Sequence, residues 1–118
     1  MKRAALLRLL FYSLCLFLLF DNQLSAQIDS VKQQIRKRLN EEYNPDSILF
    51  YVEKMEQLEV TPRDQFFLNV TKGSANSQKG RNDLALDNYF RALSFASEQG
   101  LKATVYSNIA GVYLDLED

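Results

Sequence analysis

The chain has 118 residues, of which 47% are hydrophobic and 25% are charged, and its formal net charge is −1. It contains no histidine and one cysteine. The missing histidine excludes the commonest metal ligand and every nucleophile that depends on a histidine base.

Residues 1–26 have the layout of a secretory signal peptide. Met1-Lys2-Arg3 gives a positive start, Leu9 to Phe20 is a run of 12 residues that is apolar apart from Ser13, and Ala26 is a small residue at a cleavage position. The alternative is an uncleaved membrane anchor, for which the run is short, since spanning takes roughly 20 apolar residues. We therefore predict export to the periplasm or cell envelope, with cleavage after Ala26.

The predicted mature chain differs in charge from the whole sequence. Cleavage would remove three of the 14 basic and one of the 15 acidic residues, leaving 92 residues with a net charge of −3. This charge argues against nucleic acid or an anionic membrane surface as the partner. The only cysteine is removed as well, so we expect stability to come from helix packing without a disulfide.

Capping and breaking residues divide the mature region into helices. Asn44-Pro45 and Thr61-Pro62 each place a capping residue before a proline at the first helical position. Gly80 and Gly100 are predicted to end helices. No segment alternates with period two, so no strand is predicted. The predicted helices cover residues 28–42, 46–59, 62–79, 83–98 and 101–116.

Apolar residues recur on helical spacing with a period of 37 residues. One stripe comprises Ile48, Val52, Met55 and Leu58, and the second comprises Ala85, Tyr89, Ala92 and Phe95. A fixed period of this length predicts stacked antiparallel helical hairpins, which form binding surfaces.

These residues resemble the tetratricopeptide repeat family. Gly73 fits the small residue of the first helix of a repeat, Gly80 fits the turn, and Ala85, Tyr89 and Ala92 fit the second helix. A following partial copy contains Tyr106, Ile109, Ala110 and Tyr113. Lys72 and Asn76 depart from the family pattern, and the spacing of 37 exceeds the usual 34. The resemblance implies an all-α fold whose hairpins stack as a right-handed solenoid, with a longer repeat as in exported bacterial members.

The chain is accordingly divided into four segments. The signal peptide, residues 1–26, is followed by a degenerate hairpin in 27–60, a tetratricopeptide-like repeat in 61–100, and the first helix of a further, incomplete repeat in 101–118. We expect Asp118 not to be the natural end of the folded unit, because Ile109, Val112, Tyr113 and Leu116 would lack a covering helix.

The resemblance also implies a partner-binding face. In this family the exposed positions of first helices line the inner surface of the superhelix. The matching positions here are Val70, Ser74, Ser77, Gln78, Ser107, Gly111 and Leu114.

We find no residue pattern for catalysis, a cofactor or a metal. Glu41 and Glu42 are adjacent, so they do not converge on one point of a helix, and with Arg36-Lys37-Arg38 they predict a solvated helix face. The aromatic residues Phe66, Tyr89, Tyr106 and Tyr113 are predicted to lie in the core, with Phe67 and Phe90 facing outward.

The function predicted from these features is a non-catalytic scaffold of tetratricopeptide type that binds a protein or peptide in the bacterial cell envelope. No small-molecule substrate is evident, and membrane contact is expected only during export or through a downstream segment. The alternative is the extracytoplasmic sensory input region of a longer signalling protein, such as a membrane histidine kinase or a transcription regulator.

Overall fold

A computed structural model describes residues 1–117 of the protein. Within these residues all regular structure is α-helical, which confirms the predicted all-α class. The five helices are α1 (Lys2–Glu41), α2 (Pro45–Glu56), α3 (Pro62–Gln78), α4 (Asn82–Phe95) and α5 (Gln99–Glu117).

The chain forms two compact units, Met1–Gln34 and Ile35–Asp118. In the first unit the apolar side chains of residues 4–24 lie on the surface of α1, and by length and composition α1 could cross a membrane. The expectation of a helix that begins near residue 28 is wrong, because α1 runs without a break from Lys2. The sequence from 2 to 41 contains neither glycine nor proline, so nothing in it interrupts a helix.

Two of the predicted helix starts in the second unit are confirmed by their caps. The Asn44 side chain accepts hydrogen bonds from the backbone N–H of Asp46 at 2.9 Å and of Ser47 at 3.4 Å. Thr61 and Asp64 form a capping box, with each side chain accepting from the other residue's N–H at 3.1 and 2.9 Å. Such caps fix where α2 and α3 begin.

One of the two predicted glycine terminators is confirmed and the other is wrong. Gly80 has φ +72° between α3 and α4, a backbone conformation that glycine adopts without strain. Ala96 instead takes an extended conformation, with φ −76° and ψ 111°, and ends α4 at Phe95. Gly100 therefore falls in the first turn of α5 rather than after α4.

In the second unit α2 packs against α3, α3 against α4 and α4 against α5, and α3 also contacts α5. The interior consists of two clusters. Cluster 1 contains Leu39, Ile48, Val52, Met55, Leu68 and Ala75. Cluster 2 contains Ala85, Tyr89, Ala92, Val105, Ile109 and Val112. Three of the four residues in each predicted stripe are thus buried in the core. The fourth lies near a helix end, where Leu58 is half-buried and Phe95 is 37% exposed.

The side chains that α5 buries are not those predicted from the sequence. Tyr106 and Tyr113 were predicted to lie in the core, but they are 58% and 50% exposed. Ile109 and Val112, expected to be uncovered, are buried in cluster 2. The reason is that α5 turns a neighbouring stripe toward α4, since residues one position apart lie about 100° apart around a helix.

α3 and α4 approach each other closely at Gly73, whose neighbour on α4 is Tyr89. A Cβ atom added to Gly73 would lie 2.5 Å from one ring carbon of Tyr89 and 2.6 Å from the next. Tyr89 is only 4% exposed, so its ring has little room to move away. Gly73 is therefore required by packing, as the sequence predicted.

We expect Gly73→Ala to lower the free energy of unfolding by about 1–3 kcal/mol, because the added methyl group overpacks the contact with Tyr89. The matched control is Gly111→Ala on α5, where a Cβ atom meets nothing within 4 Å. This change should raise stability by about 0.5–1 kcal/mol through helix propensity. Urea unfolding of the full chain in a mild detergent, followed by circular dichroism, measures both. Equal effects at the two glycines would contradict the packing.

Candidate functional site

The predicted face on α3 is partly occupied by packing. Val70 packs against cluster 2, and Ser74 is half-buried. Ser77 is half-buried and accepts a hydrogen bond from the Gly80 N–H through its carbonyl oxygen at 3.0 Å. Gln78 is exposed. Only the end of this face is fully accessible to a partner.

The predicted residues on α5 lie on the surface. Ser107 and Gly111 are exposed, and Leu114 is 63% exposed. The structure thus places the seven predicted residues on two helices that contact each other, with the α5 residues more open than those on α3. Their role in binding remains a prediction.

Sequence reasoning missed a groove of about 630 Å³ at the start of α3. Its walls are formed mainly by Arg36, Arg63, Phe66, Phe67, Phe95 and Leu101. This volume falls in the range of natural ligand pockets, and its aromatic walls suit an apolar side chain of a partner. The adjacent pair Phe66-Phe67 was a usable signal, because a strictly one-sided helix stripe does not bury both of two neighbouring residues.

Arg36 has a tertiary role that the expectation of a solvated Arg36-Lys37-Arg38 face did not include. Its guanidinium forms an ion pair with Asp64, whose side chain is 4% exposed, and lies 5.8 Å from the centre of the Phe67 ring. Lys37 and Arg38 are exposed as predicted. The pair holds the last turns of α1 against α3, and burial of the carboxylate makes the loss of the arginine more costly than at a surface pair.

A second, shallower depression of about 480 Å³ lies between α2, α3 and α4. Lys72 and Glu56 form an ion pair on its wall, and Arg91 lines it as well. Asn69 also lines it but is 6% exposed, and its side-chain amide donates to the Gln65 carbonyl at 2.8 Å. The walls of this depression are largely polar and its Lys72 and Glu56 side chains are paired with each other, so it offers less apolar surface than the groove at the start of α3.

The described residues hold no cluster of three or more cysteine, aspartate or glutamate side chains placed to bind a metal ion. The titratable group that stands out in the core is Tyr89. Burial raises the pKa of its hydroxyl above the ordinary value of about 10, and the hydrogen bond to Ser74 opposes part of that rise. Tyr89 therefore stays neutral at physiological pH and acts as a packing residue with one satisfied polar atom.

Comparison with known proteins gives no relative: no protein-family model, no curated protein and no solved structure matches the chain.

We expect stability to fall above about pH 10 in a way that depends on Tyr89. Because the folded state raises the pKa of this hydroxyl, its contribution is complete below the ordinary pKa and is lost as pH rises through the raised value. Urea midpoints between pH 8 and pH 12 should drop less steeply in Tyr89→Phe. Parallel pH curves for the two proteins would contradict the assignment.

Proposed function

We propose that the second unit is a tetratricopeptide-like interaction module of the bacterial cell envelope, which binds a protein or peptide and catalyses no reaction of its own. The observation that carries this proposal is the repetition of one packing scheme. The Gly73–Tyr89 contact joins α3 to α4. Buried residues recur at a spacing of 37, since Ile48, Val52 and Met55 of α2 correspond to Ala85, Tyr89 and Ala92 of α4, and Leu68 and Ala75 of α3 correspond to Val105 and Val112 of α5. Helical hairpins that repeat in this way build continuous surfaces, so their natural use is recognition.

The accessible surfaces support recognition of a polypeptide rather than a small molecule. The groove at the start of α3 is open on one side and is walled by aromatic rings and two arginines. On α5, Ser107 and Leu114 project into solvent. Aromatic and arginine side chains are enriched among the residues that contribute most to protein interfaces. A preformed helical surface also loses little conformational entropy when a partner binds.

Photo-crosslinking in the native host tests this function. A photoreactive amino acid at Ser107 should give a discrete covalent adduct with another protein, because this position lies on the predicted face and is exposed. The matched control is Glu53, which is exposed on α2 away from that face. Adducts from neither position, or equal adducts from both, would contradict the proposed role of the face.

A second candidate is the sensory input region of a longer membrane-anchored signalling protein. It is favoured by the course of α1, which continues as a helix through Ala26 and carries its apolar side chains on the surface. An uncleaved α1 of this kind would tether the second unit to the membrane, whereas a cleaved one would release it.

The N-terminus of the native protein separates the two candidates. If residues 1–26 are a cleaved signal peptide, mass spectrometry of the protein recovered from the periplasm should give an N-terminus at or near Gln27. Recovery of the intact chain from the membrane fraction would contradict cleavage and support the anchored form. As a control, Ala26→Lys should block processing of a signal peptide and leave an anchor unchanged, because signal peptidase sites need a small residue there.

A further inference from the structure

The groove at the start of α3 and the depression between α2, α3 and α4 share one wall, the ring of Phe95. Phe95 is the last residue of α4 and is 37% exposed. The two concavities therefore lie side by side on the second unit, with about 630 Å³ on one side of this ring and about 480 Å³ on the other. Together they exceed the usual range of small-molecule pockets, roughly 300–1,000 Å³, so the surface fits a polypeptide segment.

The two concavities differ in chemistry. The groove is walled by the half-buried side chains of Phe66, Phe67 and Leu101. The depression is walled by polar side chains, among them Gln65 and Ser94. An apolar side chain of a partner gains most by entering the groove, whereas polar groups next to it in the partner find hydrogen-bonding groups in the depression.

The walls also carry an excess of unpaired positive charge. Arg63 lines the groove and Arg91 lines the depression, both are exposed, and within the described residues neither forms an ion pair. The other two basic residues on the walls, Arg36 and Lys72, are each paired with a carboxylate. In this part of the described structure Glu98 is the one acidic wall residue outside an ion pair. The chain as a whole is slightly acidic, so charge complementarity at this surface favours an acidic partner.

The helices α3 and α4 run antiparallel beside this surface. They are joined by the turn at Gly80, and next along the pair Gly73 meets Tyr89. Farther from the turn, Phe66 and Phe95 line the same groove. Positions on α3 thus decrease as positions on α4 increase.

This arrangement places the two arginines on opposite sides of the apolar walls. Arg63 precedes Phe67 by one turn of α3 and lies on the side away from the Gly80 turn, whereas Arg91 precedes Phe95 by one turn of α4 and lies on the side toward it. Side chains four positions apart on a helix are about 5–6 Å apart. In an extended peptide, side chains two positions apart point the same way and are about 7 Å apart. The spacing therefore suits acidic residues two positions on either side of an apolar one.

We propose that this surface binds an extended segment of a partner protein in which a large apolar residue has acidic residues two positions before and two positions after it. The apolar side chain enters the groove beside the Phe95 ring, one carboxylate meets Arg63 and the other meets Arg91. Arginine–carboxylate pairs are directional, so they fix the segment across the ring as well as adding affinity. This inference rests on the proposed interaction function and names the chemistry of the partner at the groove.

The first test uses the fluorescein-labelled peptide Gly-Ser-Glu-Ser-Phe-Ser-Glu-Ser-Gly. Fluorescence anisotropy with the full chain in phosphatidylcholine nanodiscs should show saturable binding, and empty nanodiscs give the background. Replacing the phenylalanine of the peptide with serine, or both glutamates with glutamine, should weaken binding by about tenfold or more. No saturable binding, or equal binding of the glutamine peptide, would overturn the proposal.

Charge reversal on the protein tests the two arginines separately. Arg63→Glu and Arg91→Glu should each weaken binding by about tenfold. The matched control is Arg81→Glu, because Arg81 is exposed beside the Gly80 turn and its side chain makes no capping hydrogen bond. Its affinity should stay within about twofold of wild type. An equal loss in all three variants would overturn the proposal.

Exchanging the charges between peptide and protein tests direct contact. A peptide with lysine in place of one glutamate should restore binding to Arg63→Glu, and a peptide with lysine in place of the other should restore binding to Arg91→Glu. Restoration in neither variant would contradict the pairing. Sedimentation of the wild type as a dimer that Arg91→Glu dissociates would overturn the proposal in favour of a second copy of the chain.

Photo-crosslinking separates this inference from the function on which it rests. An adduct at Ser107 without saturable peptide binding would leave the interaction function standing and overturn the groove as the site of this motif. A photoreactive residue at Ser97, an exposed position on the groove wall, should give an adduct in the native host. Loss of that adduct with Arg91→Glu and its retention with Arg81→Glu would support both the function and the inference.

Discussion

The contact between Gly73 and Tyr89 is the constraint on which the second unit depends. A side chain at position 73 has no space, so the backbone of α3 and the ring of Tyr89 set the distance between α3 and α4. That distance places Ala85 and Ala92, both fully buried, against their neighbours in cluster 2. With Cys15 as the chain's single cysteine and no disulfide available, this interlocking of small and aromatic residues is what holds the unit together.

The helix α3 is held from several directions at once. Its start is fixed by the Thr61–Asp64 capping box, and Asp64 also pairs with Arg36 of α1. Toward α2, Lys72 pairs with Glu56, while Leu68 contributes to cluster 1. The partly exposed Lys72–Glu56 pair contributes at most about 1 kcal/mol and mainly fixes orientation, whereas the buried Asp64 carboxylate makes its pairing with Arg36 the more important of the two. The aromatic groove lies at the capped end of this helix.

Local rules were sufficient to predict the helices and much of the core from the sequence. Asn44, Thr61 and Gly80 act through their own backbone neighbours, so their effects can be read without knowing the fold. Predictions from the sequence were wrong where a contact between residues far apart in the chain, or the lack of a helix-breaking residue, determined the structure. The helix α4 ends at Phe95, where Ala96 is extended although alanine does not normally end a helix, so Gly100 is not the terminator of α4. Arg36 looked solvated because its partner, Asp64, lies 28 residues away. The groove was missed for the same reason, since Phe67, Phe95 and Leu101 meet only in the folded chain.

Positions 37 residues apart on α3 and α5 carry different side-chain chemistry. On α3 the covered face carries Asn69 and Asn76, and Asn69 satisfies its amide by donating to the Gln65 carbonyl of its own helix. On α5 tyrosines replace both asparagines. A tyrosine ring gains more from burial than an asparagine, yet it tolerates exposure because its hydroxyl keeps its hydrogen bonds to water.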